Sequence, residues 1–136
     1  MNFQVDSWSQ LSTETLATTL GIELKLIEDE KVIMTMPVGP NTRQPMGILH
    51  GGASVALAET AASIGGYNLA QKQGKVAVGQ EINANHLRPK LEGIVTATAT
   101  LIHSGRKSMV WEIHITDEQE KLICISRCTL AVIDPM

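Results

Sequence analysis

Residues 53–71 read ASVALAETAASIGGYNLAQ, and this stretch decides the fold. It is free of proline, rich in alanine, and long enough for a helix of roughly five turns at about 1.5 Å per residue. Small residues fall on every side of it: Ala53, Ser54, Ala56, Ala58, Ala61, Ala62, Ser63 and Gly65. A helix that is small and apolar all round is predicted to be buried, with neighbouring backbone drawn in close. Glu59 is the single formal charge among the 28 residues from Gln44 to Gln71. An ionised carboxylate is costly there if unpaired, which marks Glu59 as a candidate for acid–base work.

Upstream, residues 12–20 read as a short helix that Ser12 or Thr13 can cap, with Glu14 in the first turn and Gly21 as its end. Ile22–Ile27 and Lys31–Met36 look like two strands around the polar turn Glu28-Asp29-Glu30, and Pro37 is expected to stop the second, since it has no N–H for a ladder. Residues 37–52 form a Gly/Pro-rich loop. Downstream of Gly74 the pattern is β to the end, with strands at Val76–Asn85, Ile94–His103, Ser108–Thr116 and Leu122–Ile133. The order is helix, two strands, long helix, four strands, with no βα alternation. It predicts an α+β class in which a long central helix is wrapped by a curled antiparallel sheet, one domain over residues 1–136. One helix covers one face of such a sheet. Leu122, Ile123, Cys124 and Ile125 are apolar on both faces, so the other face or an edge is expected to meet another subunit.

The 136 residues are 43% hydrophobic and 18% charged, a globular balance. The net charge of −3 and pI of about 5.8 argue against nucleic acid as a partner. The polar start MNFQVDSWSQ resembles no signal peptide and no run is long enough to span a membrane, so the expected location is cytoplasmic. Cys124 and Cys128 sit four apart on one strand face, as two small buried side chains. His50, His86, His103 and His114 are scattered, without metal-ligand spacing, and no nucleophile elbow or phosphate loop is present, so neither metal nor cofactor is expected.

His50-Gly51-Gly52 stands at the head of the long helix. Two glycines allow a tight bend, and a helix start offers unpaired N–H groups to an oxygen gaining charge. Gln44, six residues earlier, brings an amide to the same loop, and Ser63 shares a helix face with Glu59. Two basic groups, His86/Arg88/Lys90 and His103/Arg106/Lys107, follow two of the strands and suit phosphate.

Gln44 to Glu59, QPMGILHGGASVALAE, closely resembles the signature of hotdog-fold acyl-CoA thioesterases. The resemblance is greatest to the branch holding the enterobactin proofreading, Arthrobacter-type 4-hydroxybenzoyl-CoA and 1,4-dihydroxy-2-naphthoyl-CoA thioesterases. Glu81 to Pro89, EINANHLRP, and the strand around Ser126-Arg127 resemble the same branch, and about residues 20–133 are covered. The resemblance implies hydrolysis of an acyl-CoA, preferably an aryl one such as 1,4-dihydroxy-2-naphthoyl-CoA. Glu59 would be nucleophile or general base, and the Gly51 N–H would bind the thioester oxygen. His50 and Gln44 would position thioester and water, with Ser63 in support. His86, Arg88 and the Ser104-Gly105-Arg106 turn would hold the CoA nucleotide. It further implies active sites at a dimer interface in a dimer-of-dimers tetramer. Met46 departs from the Phe that members often carry. Met46, Ile48, Val55 and Tyr67 are the expected walls of an apolar acyl pocket. Two other readings of the fold, a hydratase or dehydratase of acyl thioesters and a non-catalytic acyl-CoA sensor, lack the HGG run or an output module.

Overall fold

The structure, a computed structural model, describes residues 1–11 and 13–136. Its centre is α3, Gly51–Ala70, continued by a 3-10 turn over Gln71–Gln73. Ten of its residues, among them Ala53, Leu57, Ala61 and Gly65, are buried, and only Gly52 is exposed. The small side chains do what the composition predicted. A Cβ at Gly65 would stand 2.6 Å from Cη2 of Trp111, and one at Gly66 would meet Leu130 and Ala77. Trp111, the largest fully buried side chain, therefore reaches the helix backbone itself.

Six strands wrap this helix: β1 Glu23–Ile27, β2 Lys31–Val38, β3 Val76–His86, β4 Gly93–Ser104, β5 Ser108–Thr116 and β6 Leu122–Ile133. All pairings are antiparallel in the order β1-β2-β4-β5-β6-β3, so β3 is an edge strand eleven residues long. The helix-facing side is aliphatic: Val32, Met34 and Met36, Val95, Ala97 and Ala99, Ile113 and Ile115, Leu130. Each large side chain so buried contributes about 1.5–3 kcal/mol. Cys124 and Cys128 lie on this face as free, buried thiols. The outer face carries threonines and charges, with Arg127 and His114 both beside Glu112.

The first twenty residues differ from expectation. A 3-10 turn over Val5–Ser7 leads into α1, Trp8–Leu11, and α2 is only Leu16–Leu20. Thr15 caps α2 by accepting from the Thr18 N–H at 3.3 Å, while Glu14 lies outside the helix at a positive φ. Ser12, one of the two expected caps, lies outside the described residues, and Thr13 precedes the actual cap. Gly21 ends α2 in the left-handed conformation, as predicted. Trp8 anchors the segment: it is buried and its indole Nε1 donates to the Ile22 carbonyl at 2.8 Å. Pro37 does not stop β2, which runs on to Val38. It pairs with Ile94 on one side, and β1 has already ended on the other, so its missing N–H breaks no ladder bond there.

Candidate active site

The head of α3 is fixed by its own loop. His50 N–H donates to the Thr42 carbonyl at 2.8 Å, and His50 O accepts from Ala53 and Ser54. The His50 imidazole caps the helix, its Nδ1 accepting from the Gly52 N–H at 2.7 Å. An Nδ1 that accepts carries no proton, so a neutral His50 presents Nε2–H to its surroundings. Of the first four helical N–H groups, those of residues 52, 53 and 54 are thus occupied. The Gly51 N–H donates to no described residue.

Gln44 completes this end. Its Oε1 accepts from the Met46 N–H, and the turn is closed by Gln44 N to Ile48 O at 2.9 Å and Gly47 N to Gln44 O at 2.9 Å. With Oε1 engaged, the amide NH₂ is the free end of the side chain. Gln44 and Gly51 both line two adjoining cavities. One, about 340 Å³, also takes in Ser54, His86 and Arg88; the other, about 410 Å³, includes His50 and Met46. His86 packs against Gly51 so closely that a Cβ at residue 51 would stand 2.8 Å from its Nε2. The loops are tied across this end: Leu49 N–H donates to Lys90 O, the Arg43 guanidinium donates to Leu91 O, and Lys90 pairs with Glu118 at 2.5 Å.

Glu59 occupies a different place. It is half-buried and lines a third cavity, about 550 Å³, together with Ser63 and Thr60 of α3 and Phe3, Trp8, Leu11 and Leu16 of the N-terminal segment. The expected walls Met46, Ile48, Val55 and Tyr67 are absent from the described lining. Met46 is 79% exposed, and Tyr67 packs nearly perpendicular to Phe3, ring centres 5.5 Å apart. Ser63 shares the cavity with Glu59, as their spacing predicts. The carboxylate leans over β3 at Gly79. Cys128, opposite on β6, registers it: burial, then the charge of Glu59, then that of Glu81 push its thiol up to about 12.

Within one chain the candidate residues therefore form two groups. Gln44, His50, Gly51, His86 and Arg88 gather at the head of α3. Glu59 and Ser63 lie eight or more residues along it, about 12 Å of helix rise away. Ser104, Gly105 and Arg106 form the β4–β5 turn, closed by Gly105 N to Ser108 O at 2.8 Å. They sit at the opposite end of the sheet, because Ser108 pairs Ala131 whereas His86 pairs Cys124. There Arg106 and Lys107 line a groove with Lys75 and Asp134, which pair with each other. Lys75 and the N-terminal wall were not singled out from sequence. Phe3, Trp8, Leu11 and Leu16 read as scattered apolar residues in a polar segment until Trp8 is seen docked on Ile22.

A long helix wrapped by one curled antiparallel sheet, with a carboxylate in an apolar cavity halfway along it, is the build of a hotdog thioesterase. The chain belongs to the thioesterase superfamily, whose sequence profile matches residues 46–124. It is 53% identical over 117 residues to the 1,4-dihydroxy-2-naphthoyl-CoA hydrolase of Listeria monocytogenes, covering 86% of this chain and 94% of that one. It is 44% identical over 128 residues to the proofreading thioesterase EntH of Cronobacter turicensis, covering 94% and 93%. The crystal structure of a Haemophilus influenzae thioesterase superposes with a TM-score of 0.92 at 47% identity, covering 98% of this chain and 93% of that chain. The protein is a thioester hydrolase of this family.

Proposed function

We propose that the protein hydrolyses CoA thioesters of apolar aryl acids, 1,4-dihydroxy-2-naphthoyl-CoA foremost, at sites shared between two copies of the chain. The observation that carries this reading is the Glu59 carboxylate, the one charge on a wrapped helix, set in an apolar cavity of a size suited to such an acyl group. The Listeria relative, by its name, acts on that thioester.

In this reading the thioester oxygen accepts from the Gly51 N–H at the positive end of α3, which stabilises the charge that develops on it. His50 Nε2–H and the Gln44 amide orient the carbonyl and the water. Glu59 then acts in one of two ways. It attacks the carbonyl carbon, expelling CoA thiolate and leaving a mixed anhydride that water cleaves. Alternatively it takes a proton from water, whose oxygen attacks directly while the thiolate leaves. Ser63 supports the carboxylate from the same cavity. His86 and Arg88, and the 104–106 turn with Lys75 and Lys107, offer cations to the CoA phosphates.

The gap along α3 supports a shared site. The helix runs antiparallel to β3, with Gly51 over His86 and Glu59 over Gly79. If the β3 edges of two copies pair antiparallel about a two-fold axis between Ile82 and Asn83, residue 79 of one faces residue 86 of the other. Glu59 of each copy then comes opposite Gly51 of its mate, and an open edge that folded proteins seldom leave bare is closed. Two such dimers packed through another surface would make the tetramer.

The test is thiol release from benzoyl-CoA and 1,4-dihydroxy-2-naphthoyl-CoA by wild type and Glu59→Gln. Turnover by the wild type and a loss of about 10²-fold or more in the variant is expected. A wild type inert on both substrates, or a variant as fast as wild type, contradicts the reading.

A further inference from the structure

We infer that Gly79 is a positioning residue for the Glu59 carboxylate and acts by having no side chain. The inference rests on the role given to Glu59 above.

Gly79 pairs with Leu130, and the register of β3 on β6 shifts between Gly79 and Glu81, so that Gln80 is the extra residue of a β-bulge. The bulge reverses the alternation of the strand. Ala77 and Gly79 face α3 before it; Ile82 and Ala84, opposite the buried Cys128 and Ser126, face inward after it. Between Ala77 and Ile82 the inner surface of β3 is bare backbone, and the carboxylate rests there. The three atoms nearest to a Cβ added at residue 79 all belong to Glu59: Oε2, which it would overlap, Cδ at 3.1 Å and Cγ at 3.7 Å.

The backbone itself does not ask for glycine, since Gly79 lies outside the positive-φ region occupied by Gly21, Gly47, Gly74 and Gly93. Glycine inside a strand weakens it and usually marks a bulge or a close approach. A bulge of this kind accepts other residues; the close approach of Glu59 does not. Any side chain at residue 79 pushes the end of Glu59 away from the strand and towards α3, and the carboxylate, being the far end of a flexible side chain, yields before the fold does. The functional consequence is selective: the Gly51 N–H and Arg88 keep their places, and the step that uses the carboxylate slows.

The experiment compares wild type, Gly79→Ala and Gly79→Val in the wild-type and Glu59→Asp backgrounds on benzoyl-CoA, with thermal unfolding and sedimentation as controls. Gly79→Ala is expected to keep its melting temperature and oligomeric state, to hold KM within about twofold, and to lose about 10- to 100-fold in kcat, the scale of a misplacement of about 1 Å. Gly79→Val loses more. In the Glu59→Asp background, where the shorter side chain no longer lies over residue 79, the alanine costs less than about threefold. A kcat for Gly79→Ala within about twofold of wild type, an equal loss in both backgrounds, or a variant that fails to fold or associate overturns the inference. A wild type that releases no thiol, or a Glu59→Gln protein with wild-type rates, sinks the proposed function instead.

Discussion

The head of α3 and its middle each hold one polar group facing a cavity, by opposite means. At Gly51 the group is a backbone N–H, fixed by the helix, and its neighbours are spoken for by the His50 cap and carbonyl. Nothing there can drift without unwinding a turn. At Glu59 the group ends a side chain with three rotatable bonds, and what holds it is shape: an apolar cavity on one flank and the bare backbone of Gly79 beneath. In the proposed site, then, the half that would bind the thioester oxygen is built by capping chemistry and the carboxylate half by packing. The second should respond to single methyl groups placed at a distance in sequence.

The largest effect expected from this contrast is the loss of about 10²-fold or more on Glu59→Gln, which removes the charge and keeps the shape. Next is the wall of the Glu59 cavity. Leu16 is 63% exposed and opens α2, where a carboxylate suits the helix dipole, so Leu16→Glu keeps the fold. It is expected to raise KM for 1,4-dihydroxy-2-naphthoyl-CoA about tenfold and to leave acetyl-CoA unchanged, the difference that apolar contacts of this size supply. Steady-state kinetics on the two thioesters decide it, and a parallel change on both would remove Leu16 from the acyl wall.

The smallest effect is on stability. The Cys128 thiol is raised from 9.0 to about 12 in the folded protein, by burial first and by Glu59 second. A raised pKa means that the folded state holds its proton more tightly than the unfolded chain. Its contribution is therefore complete below about pH 9 and is lost as pH rises towards 12. Urea midpoints measured from pH 8 to 11 should fall in the wild type and fall less steeply in Glu59→Gln. Equal slopes would place the carboxylate away from Cys128.

Much of this arrangement was legible in the sequence, and the reasons are local. The bounds of β5 and β6 follow from alternation between clear turn signals, α3 from its length and lack of proline, and the end of α2 from Gly21. Gln44, His50, Gly51 and Glu59 stand out because one charge and two adjacent glycines interrupt an otherwise uniform stretch. What could not be read depends on contacts distant in sequence. Trp8 docks on Ile22 and carries Phe3, Leu11 and Leu16 to the Glu59 cavity, although nothing in MNFQVDSWSQ is periodic. Pro37 stays in β2 only because β1 is short. Gly79 looks like any strand glycine until the carboxylate above it is located.

In the proposed site Gly51 and Glu59 work on one thioester from two different chains. Mixing Gln44→Ala with Glu59→Gln protein under conditions that allow subunit exchange tests it directly. Each variant alone lacks one half of every site, but a mixed dimer regains one intact site from the Gln44 of one chain and the Glu59 of the other. Activity rising on mixing to about a quarter of wild type is the predicted result for random pairing. Activity that stays at the average of the two separate variants, with exchange confirmed by mass, would show that each site is made within a single chain.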